Sequence, residues 1–155
     1  MLGALMASQR FRVVSKGEGA GTRHRLRVLV ADDDRDTAVM MAAILRDEGD
    51  EVHTVLRGDE VLDVVRLFRP DAVILDLNLP GMSGYAVAHE IRERHGAVAP
   101  LLIGISGVWK ETSERIAGKA MGFDHYLVKP CDPKQVLALL EPLRRGEAEG
   151  EASAQ

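Results

Sequence analysis

Five short apolar runs alternate along the chain with five stretches of helical periodicity, and this alternation constrains the fold more than any other feature. The runs are Leu26–Ala31, Val52–Val55, Ala72–Leu75, Leu101–Ile105 and Tyr126–Val128. After each run, apolar or small residues recur at i, i+3, i+4 and i+7, the spacing of one helix face. The first three stripes are Ala38, Met41, Ala42 and Leu45; Val61, Val64, Val65 and Phe68; and Gly84, Val87, Ala88 and Ile91. Ser113, Ile116, Ala117 and Ala120 form a fourth, thinly apolar one, and Val136, Leu139, Leu140 and Leu143 a fifth. Strands that alternate with helices build a parallel sheet covered on both faces. VLVA, AVIL and LLIGI are continuously apolar, as inner strands must be. EVHTV carries His53 and Thr54 and is predicted at one edge; HYLV, half polar, is predicted at the other. Gly49, Gly58, Pro70, Gly81, Gly96 and Gly122 punctuate the joints. The expected fold is a doubly wound (βα)5 unit of the α/β class over residues 26–145.

The flanks read differently. Residues 1–25 are expected to be a flexible basic extension, with Gly3, Gly17, Gly19 and Gly21 among Arg10, Arg12, Lys16, Arg23 and Arg25. Within it, GEGAGT lacks both the third glycine of a dinucleotide loop and the lysine of a P-loop, so it reads as linker. Residues 146–155, GEAEGEASAQ, are expected to be a disordered acidic tail. A length of 155 residues suits one domain with a full core. The net charge of −4 argues against broad nucleic-acid binding, so no direct nucleic-acid partner is expected. Cys131 is the only cysteine, which rules out an internal disulfide and fits a reducing, cytoplasmic location. No apolar run is long enough to cross a bilayer, and MLGALMA is too short for a secretory signal and has no basic residue before it.

In an open α/β sheet, ligands bind beyond the carboxyl ends of the strands, near the point where strand order reverses. The first run ends at Asp32 and Asp33, the third at Asp76, the fourth at Ser106 and the fifth at Lys129–Pro130. Strand order itself does not follow from the sequence. In the order 2-1-3-4-5 the first and third strands would be neighbours about 4.8 Å apart, and Asp32, Asp33 and Asp76 would converge. Three converging anions require protons or a cation, and hard oxygen ligands at an exposed rim suit Mg²⁺. Each residue alone has a plainer reading. Asp32–Asp34 would serve as a capping cluster, with Asp34 where a helix N-cap wants an acid. Asp76 would cap the LNLPG turn, Ser106 would be a loop hydroxyl and Lys129 a solvated lysine.

Taken in order, VLVADDD, VILDLNLPGMSG, LLIGISG and HYLVKP resemble the receiver domain of bacterial two-component response regulators, over residues 26 to 143. The resemblance implies a flavodoxin-like sheet of order 2-1-3-4-5. It implies that Asp76 accepts a phosphoryl group from a phosphohistidine, and that Asp33, Asp76 and the backbone carbonyl of Asn78 ligate Mg²⁺, with Asp32 assisting through water. Ser106 and Lys129 take the phosphate-binding positions, Tyr126 the aromatic switch position, and Lys129–Pro130 is a candidate cis peptide. The implied donor is a histidine kinase, hybrid kinase or histidine phosphotransfer protein. A downstream protein target follows, a homodimer is compatible, and no membrane contact or separate substrate turnover is expected. With no second domain after residue 145, a stand-alone receiver is expected. One alternative is a Mg²⁺-dependent phosphohydrolase with Asp76 as nucleophile, but such enzymes place a second Asp where Asn78 stands, and no cap domain is evident. Another is a scaffold that needs no phosphorylation, which would have no use for the full acid, serine and lysine set.

Other features carry less. HEIRERH, His89 to His95, lacks the second zincin histidine, since Glu93 stands there, and reads as a solvated helix face. His53 and His125 read as structural or exposed, Cys131 as a packing residue, and Trp109 as either a partner contact or a packed side chain.

Overall fold

The structure, a computed structural model, describes residues 23–107 and 122–147. Its five strands are β1 (Arg27–Ala31), β2 (Glu51–Val55), β3 (Ala72–Asp76), β4 (Leu101–Ser106) and β5 (His125–Val128). They form one parallel sheet of order β2-β1-β3-β4-β5, so the edge strands are the two whose sequences are half polar. Four α-helices lie among the described residues: α1 (Arg35–Asp47), α2 (Gly58–Phe68), α3 (Gly84–His95) and α4 (Pro133–Arg144). A short 3-10 turn, Gly96–Val98, follows α3. The predicted stripe Ser113–Ala120, Trp109, residues 1–22 and residues 148–155 lie outside the described residues.

Alternation along the inner strands divides the core in two. Val28 and Val30 of β1, Ala72 and Ile74 of β3, and Leu101, Ile103 and Ile105 of β4 face one side. There they meet Ala38, Met41, Ala42 and Leu45 of α1 and Val136, Leu140 and Leu143 of α4. Leu29 and Ala31, Val73 and Leu75, and Leu102 face the other side, against Val61, Leu62 and Val65 of α2 and Val87, Ala88 and Ile91 of α3. Successive side chains of a strand point to opposite faces, so a sheet covered twice must be apolar at every inner position. Full burial of one such Val, Leu or Ile contributes about 1.5–3 kcal/mol. The second stripe differs in detail from its sequence reading. Val64 is only partly buried, and Leu62 and Gly58 join Val61, Val65 and Phe68 on the inward face of α2.

Capping sets where the helices begin at the functional end. The Asp34 carboxylate accepts from the Asp36 amide and the Thr37 hydroxyl, closing the first turn of α1. The Thr37 hydroxyl bond holds the Asp34 carboxyl below the usual range. Ser83 caps α3 through the Ala86 amide, and Asp132 and Gln135 form a reciprocal capping box on α4.

At the opposite end of the sheet, the last residues of the predicted extension are bound to the domain. The His24 amide donates to the Arg144 carbonyl. The Arg23 guanidinium bonds Glu48, just past α1, and Glu141 of α4. Two carboxylates converge there, one from the C-cap of α1 and one from α4, a meeting that sequence spacing does not reveal. At the same end lies a buried ion pair: both Arg144 terminal nitrogens bond the Asp50 carboxylate, Nη2 at 2.6 Å from Oδ2, and the Leu26 amide donates to Asp50 Oδ1 at 3.1 Å.

Candidate functional site

Parallel register carries the rim residues to a common height. Ala31 pairs with Leu75 and Asp76 with Ile105, so Asp32 and Asp76 emerge side by side from neighbouring strands. Ser106 pairs with Val128, so Lys129 follows at the same edge, and the Lys129 amide donates to the Ser106 carbonyl at 2.7 Å. One carboxylate oxygen from each of Asp32, Asp33 and Asp76 falls within 4.8 Å of the others. Asp32 and Asp76 are buried at 6% and 4% exposure, whereas Asp33 is exposed. The cup therefore has a closed floor and an open lip.

The hydrogen bonds orient the two floor carboxylates. Asp32 Oδ1 accepts from the Asp34 amide at 2.9 Å, and Asp76 Oδ1 from the Asn78 amide at 3.0 Å. The Lys129 ammonium lies 2.8 Å from Asp76 Oδ2 and 3.6 Å from Asp32 Oδ2. Burial pushes the Asp32 carboxyl up; the Asp34 amide and Lys129 oppose that, and the charges of Asp76 and Asp33 reinforce it. Burial also disfavours the charged form of Lys129, but the hydrogen bond to Asp76 and the charges of all three acids outweigh it. Its pKa is therefore raised, and the lysine stays an ammonium. Among the described residues one cation thus faces three carboxyls, and their negative charge is in surplus at an opening to solvent. That donor set fits Mg²⁺, which takes one or two carboxylates, keeps several waters and accepts phosphate oxygens.

The Lys129–Pro130 peptide bond is cis. Asn78 is exposed, two residues beyond Asp76. Tyr126 is not part of the cup. It pairs with Gly104 inside β5, half-buried, and its hydroxyl lies 3.4 Å from that of Tyr85 on α3. Tyr85 in turn meets Phe123 edge-on at 6.1 Å. Sequence reasoning passed over Tyr85, whose position one residue inside α3 gave no chemical signal. Cys131 packs partly buried against the first core cluster, and His53 lies 4.2 Å from the Phe68 ring.

A doubly wound parallel sheet with an acid-and-lysine cup beyond the carboxyl ends of β1 and β3 places the chain among α/β proteins whose ligand site lies at the switch point of strand order. Comparison with known proteins narrows the class. The profile of the response regulator receiver domain matches residues 28–141. The DNA-binding response regulator MtrA of Mycolicibacterium smegmatis is 38% identical over 126 residues, covering 81% of this chain and 54% of MtrA. The phosphate regulon transcriptional regulatory protein PhoB of Rhizobium meliloti is 36% identical over 124 residues, covering 79% of this chain and 54% of PhoB. The chemotaxis response regulator CheY4 of Vibrio cholerae superposes with a TM-score of 0.70 at 28% identity, over 77% of this chain and 98% of CheY4. The chain belongs to the response regulator receiver family of two-component signalling. It spans about half the length of the curated relatives it matches. MtrA is named as a DNA-binding regulator, a property that the expectation drawn from net charge did not include. No helix among the described residues is long and apolar enough to cross a membrane.

Proposed function

We propose that residues 26–145 act as a phosphorylation-driven switch in which Asp76 is the phosphoacceptor. The observation that carries this reading is the Lys129 ammonium 2.8 Å from Asp76 Oδ2, with Asp32 and Asp33 closing an anionic cup around the same carboxylate. An Asp76 oxygen forms a bond to phosphorus as the N–P bond of a phosphohistidine breaks, leaving an acyl phosphate on the chain and a free imidazole on the donor. Carboxylate and phosphoryl oxygens repel each other, so the protein's task is to position and neutralise. Lys129 neutralises from one side as a compact point charge. Asp33, Asp76 and the Asn78 carbonyl would hold Mg²⁺, and Asp32 would act through water. When bound, the ion supplies further neutralisation of the transferring oxygens.

The output follows from added charge. The acyl phosphate brings about −2 charge and new acceptor oxygens to the rim. A Ser106 hydroxyl bond to one of them contributes on the order of 1.5–3 kcal/mol, enough to bias a two-state loop about ten- to a hundredfold. Tyr126 responds as the switch, and the face formed by β5, α4 and the predicted helix at 113–120 presents the change to a protein target or a second copy. The donor is a histidine kinase, hybrid kinase or histidine phosphotransfer protein, and the setting is cytoplasmic. DNA binding is printed in the name of MtrA and is not assigned to these residues. Uptake of phosphoryl from acetyl phosphate tests the reading. It should require Mg²⁺ and vanish in Asp76→Asn; uptake that survives the substitution removes the assignment.

A further inference from the structure

The segment that leads from Asp76 to α3 is pressed from behind by the first turn of α2. The Gly58 amide donates to the Pro80 carbonyl at 2.9 Å. A methyl group built on Gly58 would overlap the carbonyl oxygen of Met82 and lie 2.7 Å from its carbonyl carbon and 3.2 Å from its Cα. These are backbone atoms, so no rotamer change relieves the clash. Arg57 and Asp59 bond each other on either side of Gly58, Nε to Oδ1 at 3.0 Å, and enclose Gly81, whose φ is +83°. A methyl on Gly81 would lie 2.6 Å from Asp59 Oδ1 and 2.8 Å from Arg57 Nη2.

The same segment is held on its other side. The Gly84 amide donates to the Leu77 carbonyl at 3.0 Å, and a methyl on Gly84 would lie 2.7 Å from the Asp76 carbonyl oxygen. Leu77 and Leu79 are buried beside Val61 and Leu62 of α2, with exposed Asn78 between them. Residues 77–83 are thus clamped between the first turn of α2 and the end of β3. The Asn78 amide, inside that clamp, orients Asp76 Oδ1.

We propose that Gly58 is a positioning residue for the metal and phosphoryl site: its missing side chain lets α2 brace residues 77–83 and so fixes the Asn78 main chain beside Asp76. The inference rests on the Asp76 reading above. The backbone of Gly58 does not need glycine, because it lies outside the left-handed region and opens a helix, where alanine is the better former. The requirement comes from the contact with Met82.

The test is Gly58→Ala in the full chain, with Mg²⁺ affinity read by calorimetry and unfolding by heat in chelator. Mg²⁺ affinity should fall roughly tenfold, the low end of the loss seen when support behind metal ligands is removed. Glu60→Ala, exposed in the same helical turn, should bind as wild type does. Reduced thermal stability with unchanged Mg²⁺ affinity would make Gly58 merely structural and overturn the proposal. Should Gly58→Ala fail to fold, amide exchange in the wild type decides. Linkage is reciprocal, so Mg²⁺ should slow exchange of the Gly58 amide, and should not do so in Asp33→Asn. A wild type that binds Mg²⁺ with Gly58 exchange unchanged overturns the brace alone. A wild type that binds no Mg²⁺ overturns the site reading with it.

Discussion

Two charged clusters lie at opposite ends of the sheet, and they are built on opposite rules. At the amino ends of the strands, Asp50 and Arg144 are buried at 4% and 1% exposure, matched one charge to one, doubly hydrogen-bonded, and joined by the Leu26 amide. At the carboxyl ends, among the described residues, three carboxyls share one ammonium, and Asp33 stands open to solvent. The first arrangement pairs both terminal nitrogens of Arg144 with one carboxylate, though its buried Nε has no hydrogen-bond partner, and it ties the approach to β1 and β2 to α4. The second keeps negative charge in excess, which costs stability and leaves a place for a cation and a phosphoryl group. A charge cluster at a strand end points to function when its charges do not balance within the fold.

Cutting one partner from each cluster should separate the two rules most widely. Arg144→Met strands a buried carboxylate and should cost about 3–5 kcal/mol in urea unfolding. Asp76→Asn should change stability by less than about 1 kcal/mol, because Lys129 is partly solvated and keeps Asp32 within reach. A large loss in Asp76→Asn would mean that the rim, too, is a structural pair. Lys129→Met sharpens the contrast from the functional side. It should slow phosphorylation by roughly a hundredfold, the scale of losing one charged donor aimed at the transition state, while folding stays two-state. Stopped-flow phosphorylation at saturating Mg²⁺ reads that rate.

The smallest expected effect lies at the edge of the buried pair. Hydrogen bonds from Arg23 hold the Glu141 carboxyl below its usual value. A depressed acid contributes stability above its unfolded pKa, near 4.5, and loses it as pH falls through the lower folded value. Arg23→Ala should therefore remove less than about 1 kcal/mol at neutral pH and flatten the acid limb of the stability curve below pH of about 4.5. An unchanged acid limb would show that the Arg23 contact with Glu141 does not persist in solution.

The sequence made one of these clusters legible and hid the other. Asp32, Asp76 and Lys129 each stand directly after an apolar run, with Asp33 one residue further, so the rule that strands deliver chemistry at their carboxyl ends points to the four charges that the structure brings together. Asp50 and Arg144 are 94 residues apart, and each reads as an ordinary surface charge beside a turn or in a helix's last turn. The strands were legible because inner positions must be apolar on both faces. Their order was not, since each helical crossover is long enough to return on either side of the sheet; only the family resemblance supplied it. Gly58 read as punctuation, because the Met82 carbonyl that excludes a side chain there comes from a different turn. The docking of Arg23 and His24 was equally hidden, since their partners come from the ends of α1 and α4.

Trapping the phosphorylated side chain identifies the acceptor residue itself. After incubation with acetyl phosphate, borohydride reduction converts an aspartyl phosphate to homoserine, which peptide mass spectrometry places by residue. Homoserine is expected at position 76 alone, and only with Mg²⁺ present. Homoserine at Asp32 or Asp33, or equal yield at Asp76 in chelator, would contradict it.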